Sequence, residues 1–219
     1  MKAVARFLRR FPVREDETVA LSRNATALLV IDMQNGFLDP EGSMAKVGLP
    51  ADQLVPALDG CVRLVAGARE AGVPVIYTRY TYQPGFADGG LLPNEFVPAM
   101  KEVGSLVNGT WDAEIVPALT PAEGEIVIDK SRPSSFYGTR LEPFLTSMGI
   151  HDLVVCGVTT NICVETTVRD AGQRDYHTYV VSDATAEFEK ERHEHALNTM
   201  GFIFGWVTTV DDVLKAWAE

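Results

Sequence analysis

The feature that most constrains this chain is an alternation of short apolar runs with longer segments of helical periodicity. The runs are TALLVID (26–32), VPVIYTR (73–79), EIVIDK (125–130), DLVVC (152–156), TYVVSD (178–183) and FIFGWV (202–207). Between them, helical patterns fall at about 51–71, 139–148, 161–173, 187–199 and 210–218, the last with Asp211 and Asp212 in its first turn, where a helix favours negative charge. Buried strands joined by helix-length crossovers imply a mainly parallel sheet, because parallel neighbours cannot be linked by a tight hairpin. The fold class expected is therefore α/β.

Length and composition set the outer bounds. With 219 residues, 46% of them hydrophobic, the chain can bury a full core as a single domain. A formal net charge of −11 with no basic cluster argues against nucleic acid and anionic membranes as partners and leaves a small molecule as the expected one. The three cysteines, Cys61, Cys156 and Cys163, form neither a CxxC pair nor an even disulfide set, so a reducing, cytoplasmic compartment is expected. The first residues, MKAVARFLRRFPVRE, lack the apolar stretch and cleavage site of a signal peptide, and no run is long enough to span a membrane. Residues 1–24 read as an N-terminal arm on the domain or on a neighbouring subunit, and 25–219 as the domain itself. One connection, 80–112, is rich in Gly and Pro and too long for a simple loop, which suggests a lid, a binding loop or an interface.

Open parallel sheets place their sites beyond the carboxyl ends of the strands. Three reactive residues fall there: Asp32 ends the first apolar run, Lys130 ends the third, and Cys163 follows the fourth at the start of a helix. In GVTTNICVET (157–166), Gly157 permits a sharp exit from the strand, and Thr159, Thr160 or Asn161 can cap the helix. A thiol at a helix start gains from the dipole and from unpaired amides, which also suit an oxyanion. Each residue alone also has a plainer reading: a packed thiol, a strand-end cap, a solvated lysine. Their coincidence at one sheet edge is what points to chemistry.

The segments LLVIDMQNGFLDPEG, IDKSRPSSFYGT and VVCGVTTNICVETTVRDA resemble, in order and spacing, the three motif blocks of the isochorismatase-like cysteine hydrolases. The resemblance runs from about Thr26 to the end of the chain. It implies a three-layer, doubly wound, Rossmann-like fold around a six-stranded mainly parallel sheet. It further implies a catalytic triad of Asp32, Lys130 and Cys163, a cis peptide between Val158 and Thr159, and an oxyanion hole formed by the Thr159 and Cys163 amides.

Departures within that family narrow the expectation. Members that cleave a vinyl ether do without a nucleophilic cysteine, so Cys163 points to C–N bond hydrolysis. Nicotinamidases carry metal-binding histidines after the second strand, whereas TRYTYQPGFADGG has none, and His193 and His195 lie two apart on a helix, on different faces. No metal and no cofactor are expected. NGTWDAEIVPAL, KSRPSSFYGT and FGWV are similar to segments of ureidoacrylate amidohydrolases, with biuret hydrolases nearly as close; N-carbamoyl amino acid and nicotinamide amidases, or a family member that only binds a ligand, are the alternatives. Relatives of this kind are dimers or tetramers, which implies a homo-oligomer. An anionic ureide would need local cations, for which Arg79 and Arg132 are the candidates, each equally suited to an internal ion pair. Phe37, Trp111 and Tyr137 are candidate walls for a small planar amide.

Overall fold

The computed structural model describes residues 21–218; the first 20 residues of the expected N-terminal arm lie outside the described residues. Six strands form one sheet: β1 (Thr26–Ile31), β2 (Val75–Tyr80), β3 (Ile126–Lys130), β4 (Asp152–Val158), β5 (His177–Ala186) and β6 (Trp206–Thr208). All pairings are parallel, in the order β3-β2-β1-β4-β5-β6. Strands β1 and β4 are buried along their whole length, as central strands covered on both faces must be.

The long helices are α1 (Ala57–Ala71), α2 (Leu141–Ser147), α3 (Glu165–Gly172), α4 (Lys190–Thr199) and α5 (Val210–Ala218). Helix α1 buries Ala57, Gly60, Cys61, Leu64, Val65 and Ala68, a stripe at helical spacing, and ends at Gly72, whose φ of +72° closes the last turn. Gly60 lets it lie close on β5: a side-chain carbon there would fall 2.7 Å from Asp183 O. The chain moves outward from β1 through β2 to β3, then returns to place β4 on the other side of β1. Right-handed crossovers in opposite directions put their helices on opposite faces, giving three layers with a topological switch between β1 and β4.

Two expected boundaries differ. The sixth strand begins at Trp206 rather than 202, because Met200–Phe204 continues from α4 as a wide helical turn. The fifth runs to Ala186, past the expected end at 183, with an irregularity against β4 between Val155 and Gly157. Segment 80–112 contains only short turns, at Pro84–Phe86, Leu92–Phe96, Ala99–Glu102 and Trp111–Ala113. It is pinned by a bridge between Tyr82 and Val107, with Tyr82 N donating to Leu106 O (2.9 Å) and Asn108 N to Tyr82 O (2.8 Å).

Candidate active site

Directly after β1, Asp32 adopts a φ of +51° and is fully buried. Lys130 Nζ donates to its Oδ2 at 2.6 Å, both side chains being shielded from solvent. The other oxygen, Oδ1, accepts from Thr78 Oγ1 at 2.6 Å. The Lys130 ammonium also donates to Arg132 O (3.2 Å) and lies 4.4 Å from the centre of the Tyr80 ring. Strand register explains this convergence: Ile31 pairs with Thr78 and Tyr80 with Lys130, so side chains from three strands point to one side.

Cys163 lies in a wide turn, Thr160–Val164, between β4 and α3, and is 3% exposed. Its thiol interacts with both Asp32 and Lys130. Burial raises its pKa well above the ordinary thiol range, the Lys130 ammonium opposes that shift, and Asp32 reinforces it. Burial and the Asp32 charge thus act against the helix start and Lys130, which favour the thiolate. A base must take the proton, and the Asp32 carboxylate is placed to receive it.

Two features shape the turn that carries the thiol. Gly157 has a φ of +109°, and a side-chain carbon there would fall 2.1 Å from Ile31 O, so only glycine allows β4 this close to β1. The peptide between Val158 and Thr159 is cis. Three amides of the turn are committed: Asn161 N to Glu187 Oε2 (3.0 Å), and Ile162 N and Val164 N to Thr159 O (3.2 and 3.1 Å). Glu187, 4% exposed, also accepts from Phe188 N (2.9 Å) and interacts with the Thr159 side chain. Its pKa is raised by burial despite those donors. His193 Nδ1 pairs with Thr160 Oγ1 at 2.8 Å, and burial lowers its pKa.

The other candidate residues are not all brought together. Arg79 forks onto Asp129 (2.7 and 2.9 Å) on the sheet face opposite Thr78 and Lys130, so its charge is used internally. Arg132 does reach the edge: Nη1 donates to Asp88 O (2.8 Å) and Ser131 O (2.6 Å), and no carboxylate ion-pairs with it among the described residues. Phe37 is buried in the turn following Asp32. Trp111 and Tyr137 do not wall a closed pocket in the single chain, being 47% and 66% exposed. Thr78, Glu187 and Tyr80 escaped the sequence reading. Thr78 alone left a signal, standing an even number of residues before the strand end on the face of Tyr80. Among the described residues, no three His, Cys, Asp or Glu side chains are grouped to hold a metal, and no helix is long and apolar enough to cross a membrane.

Comparison with known proteins shows the family and the fold. The isochorismatase domain model matches residues 26–212. A ureidoacrylate amidohydrolase RutB from Methylorubrum extorquens (strain AM1) is 36% identical over 207 residues, covering 89% of this chain and 83% of the relative. That of Pseudomonas syringae pv. syringae (strain B728a) is 34% identical over 216 residues, covering 93% and 88%. The crystal structure of a cysteine hydrolase from Pseudomonas syringae pv. phaseolicola 1448A superposes with a TM-score of 0.83 at 28% identity, covering 91% of this chain and 95% of that one. N-carbamoylsarcosine amidase from Thermoplasma acidophilum gives 0.68 at 26% identity, covering 85% and 96%.

Proposed function

This chain belongs to the isochorismatase domain family and is a hydrolase acting on C–N bonds, and from that premise we propose that it cleaves a small ureide, of the ureidoacrylate type, through a covalent intermediate on Cys163. The observation that carries this reading is the buried Asp32–Lys130 pair beside the buried Cys163 thiol.

Asp32 takes the Cys163 proton, and the thiolate adds to the ureido carbonyl carbon. The Thr159 and Cys163 amides receive the resulting oxyanion. Collapse breaks the C–N bond, and Asp32 returns the proton to the leaving nitrogen, leaving a carbamoyl thioester on Cys163. A water, deprotonated by Asp32, then adds to that carbonyl, and the thiol regains its proton as carbamate departs to decay into ammonia and carbon dioxide. Lys130 and Thr78, one on each carboxylate oxygen, hold Asp32 in place through both half-reactions.

The test is ammonia release from a panel of ureidoacrylate, biuret, N-carbamoyl amino acids and nicotinamide. Cys163→Ala is expected to lower turnover by at least about 10⁴-fold with the melting temperature kept. Substantial turnover by the variant would overturn the assignment. We also propose a cytoplasmic homo-oligomer, dimer or tetramer. Its support is three free cysteines together with exposed Phe96 (71%), Ile203 (68%), Tyr137 and Trp111, and light scattering would read its mass.

A further inference from the structure

Beyond the triad, two buried polar atoms near the site lack a well-formed partner: Asn161 Oδ1, in the turn that carries the thiol, and the Tyr82 hydroxyl. Tyr82 is fully buried, and its hydroxyl has no well-formed hydrogen bond among the described residues, with the Tyr80 hydroxyl as a weak polar neighbour. Buried hydroxyls are nearly always paired, so an orphan beside a reactive thiol points to an atom supplied from outside. Its position supports this. Tyr82 lies just past the carboxyl end of β2, its ring edge-on to Tyr80 at 5.3 Å and tilted against Phe86 at 5.1 Å. Tyr80 in turn covers the Lys130 ammonium, and its own hydroxyl donates to Ser131 O at 3.3 Å. The Tyr82 ring is thus held in an aromatic file leading away from the triad, and its oxygen lies within electrostatic reach of Cys163 and Arg132.

The second observation is the Arg132 guanidinium. It reaches the same region from the end of β3 and is held by two carbonyls and, at 3.5 Å, the Ser131 hydroxyl. Asp88, the nearby acid, takes the Gln83 amide at 2.9 Å instead of pairing with Arg132. Gly90, with a φ of +64°, leaves the guanidinium room: a side-chain carbon there would fall 2.4 Å from Nη2. In a chain of net charge −11, a cation without a carboxylate is a site for an anion.

We propose that the Tyr82 hydroxyl, with the Arg132 guanidinium behind it, binds a carboxylate carried by the substrate on the far side of the scissile bond and so selects ureido acids over neutral amides. This rests on the ureide reading above. Burial pushes the Tyr82 phenol up to about 12, so the hydroxyl stays protonated and donates. Tyr82 is then a specificity residue: it touches the substrate but moves no proton in the reaction.

The test is Tyr82→Phe, which deletes one oxygen and keeps the aromatic file. With 3-ureidopropionate, kcat/KM is expected to fall about 10- to 100-fold, carried mainly by KM, as loss of a hydrogen bond to a charged group predicts. With the neutral 3-ureidopropionamide the change should stay within about 2-fold, and the melting temperature should hold or rise, since an unpaired group has been removed. A fall in stability, or equal loss on both substrates, would overturn the proposal. A second readout does not need hydrolysis: the rate at which Cys163 is alkylated by 4-bromocrotonate, relative to its neutral amide. The wild type should favour the acid, and Tyr82→Phe should lose that preference. Should the wild type hydrolyse no ureide yet show this preference and its loss, the anion subsite stands and the ureide reading falls. Should ureides turn over with Tyr82→Phe indistinguishable from wild type, the reading stands and the subsite falls.

Discussion

Replacing Lys130 by methionine keeps most of the side-chain volume and removes the ammonium from a site with no solvent exposure. Asp32 then loses the partner 2.6 Å from Oδ2 and keeps only Thr78 on the other oxygen. Breaking one half of a buried pair costs about 3–5 kcal/mol, because the remaining charge is stranded away from water. For a chain of this size each kcal/mol moves the melting temperature by about 2–4 °C, so Lys130→Met should lower it by roughly 6–20 °C. Asp32→Asn alone strands the ammonium instead and should cost a similar amount. The double replacement strands no charge: the asparagine carbonyl still accepts from Thr78, the methionine lies beside the Tyr80 ring, and the loss is confined to the neutral Arg132 carbonyl and the new amide. Its stability should return to within about 2 kcal/mol of wild type, since removing both partners of a buried pair is often close to neutral. Turnover should stay abolished in all three variants, which separates the role in folding from the role in chemistry. Urea denaturation with unchanged slopes measures each corner of the cycle. Additive costs, with a coupling below about 0.5 kcal/mol, would refute the claim that these charges depend on each other.

Other perturbations follow from the same geometry. Thr78→Val removes the hydrogen bond to Asp32 Oδ1, and kcat should fall about 10- to 100-fold with little change in KM; an unchanged kcat would show that Lys130 alone orients the base. Gly157→Ala forces a side chain into the Ile31 carbonyl at a φ of +109° and should cost at least about 2 kcal/mol in denaturant unfolding; a neutral result would mean that β1 and β4 separate freely. Glu187 has a raised folded pKa, so its penalty is absent below the ordinary range near 4.5 and sets in as pH rises through the folded value. The stability of wild type relative to Glu187→Gln should therefore decline with rising pH in that window, and a rising difference would contradict it. His193 has a lowered folded pKa, so the unfolded chain binds its proton first and wild type should lose stability as pH falls below 6.5. His193→Gln should flatten that slope in a series of thermal melts, and an unaltered slope would place its origin elsewhere.

Much of this was legible before any coordinates, because strand ends are punctuated by chemistry. Asp32 and Lys130 each close an apolar run, and carboxyl ends of parallel strands share one edge. What failed to read was direction. Arg79 looked like a substrate cation because it ends a strand, but period-two alternation sends it to the face where Asp129 lies in register. Strand pairing, which one run alone does not reveal, decides that. Glu187 was hidden because the run 178–183 was taken to stop where polar residues begin, whereas β5 continues to Ala186 by pairing with the end of β4. Trp111 and Tyr137 were marked as pocket walls on residue type, which says nothing of exposure.

The sheet order has one more consequence. Asp32, Thr78 and Lys130 all come from β1, β2 and β3, a contiguous block finished by residue 130, and their pairing spans 98 residues. The thiol arrives only with β4, which joins the opposite side of β1. During synthesis, the first half holds a proton acceptor with nothing to deprotonate, and the second brings a sulfur with no acceptor of its own. On the proposed mechanism, reactivity is acquired at the seam where the two halves join, so an unfinished chain carries no working nucleophile.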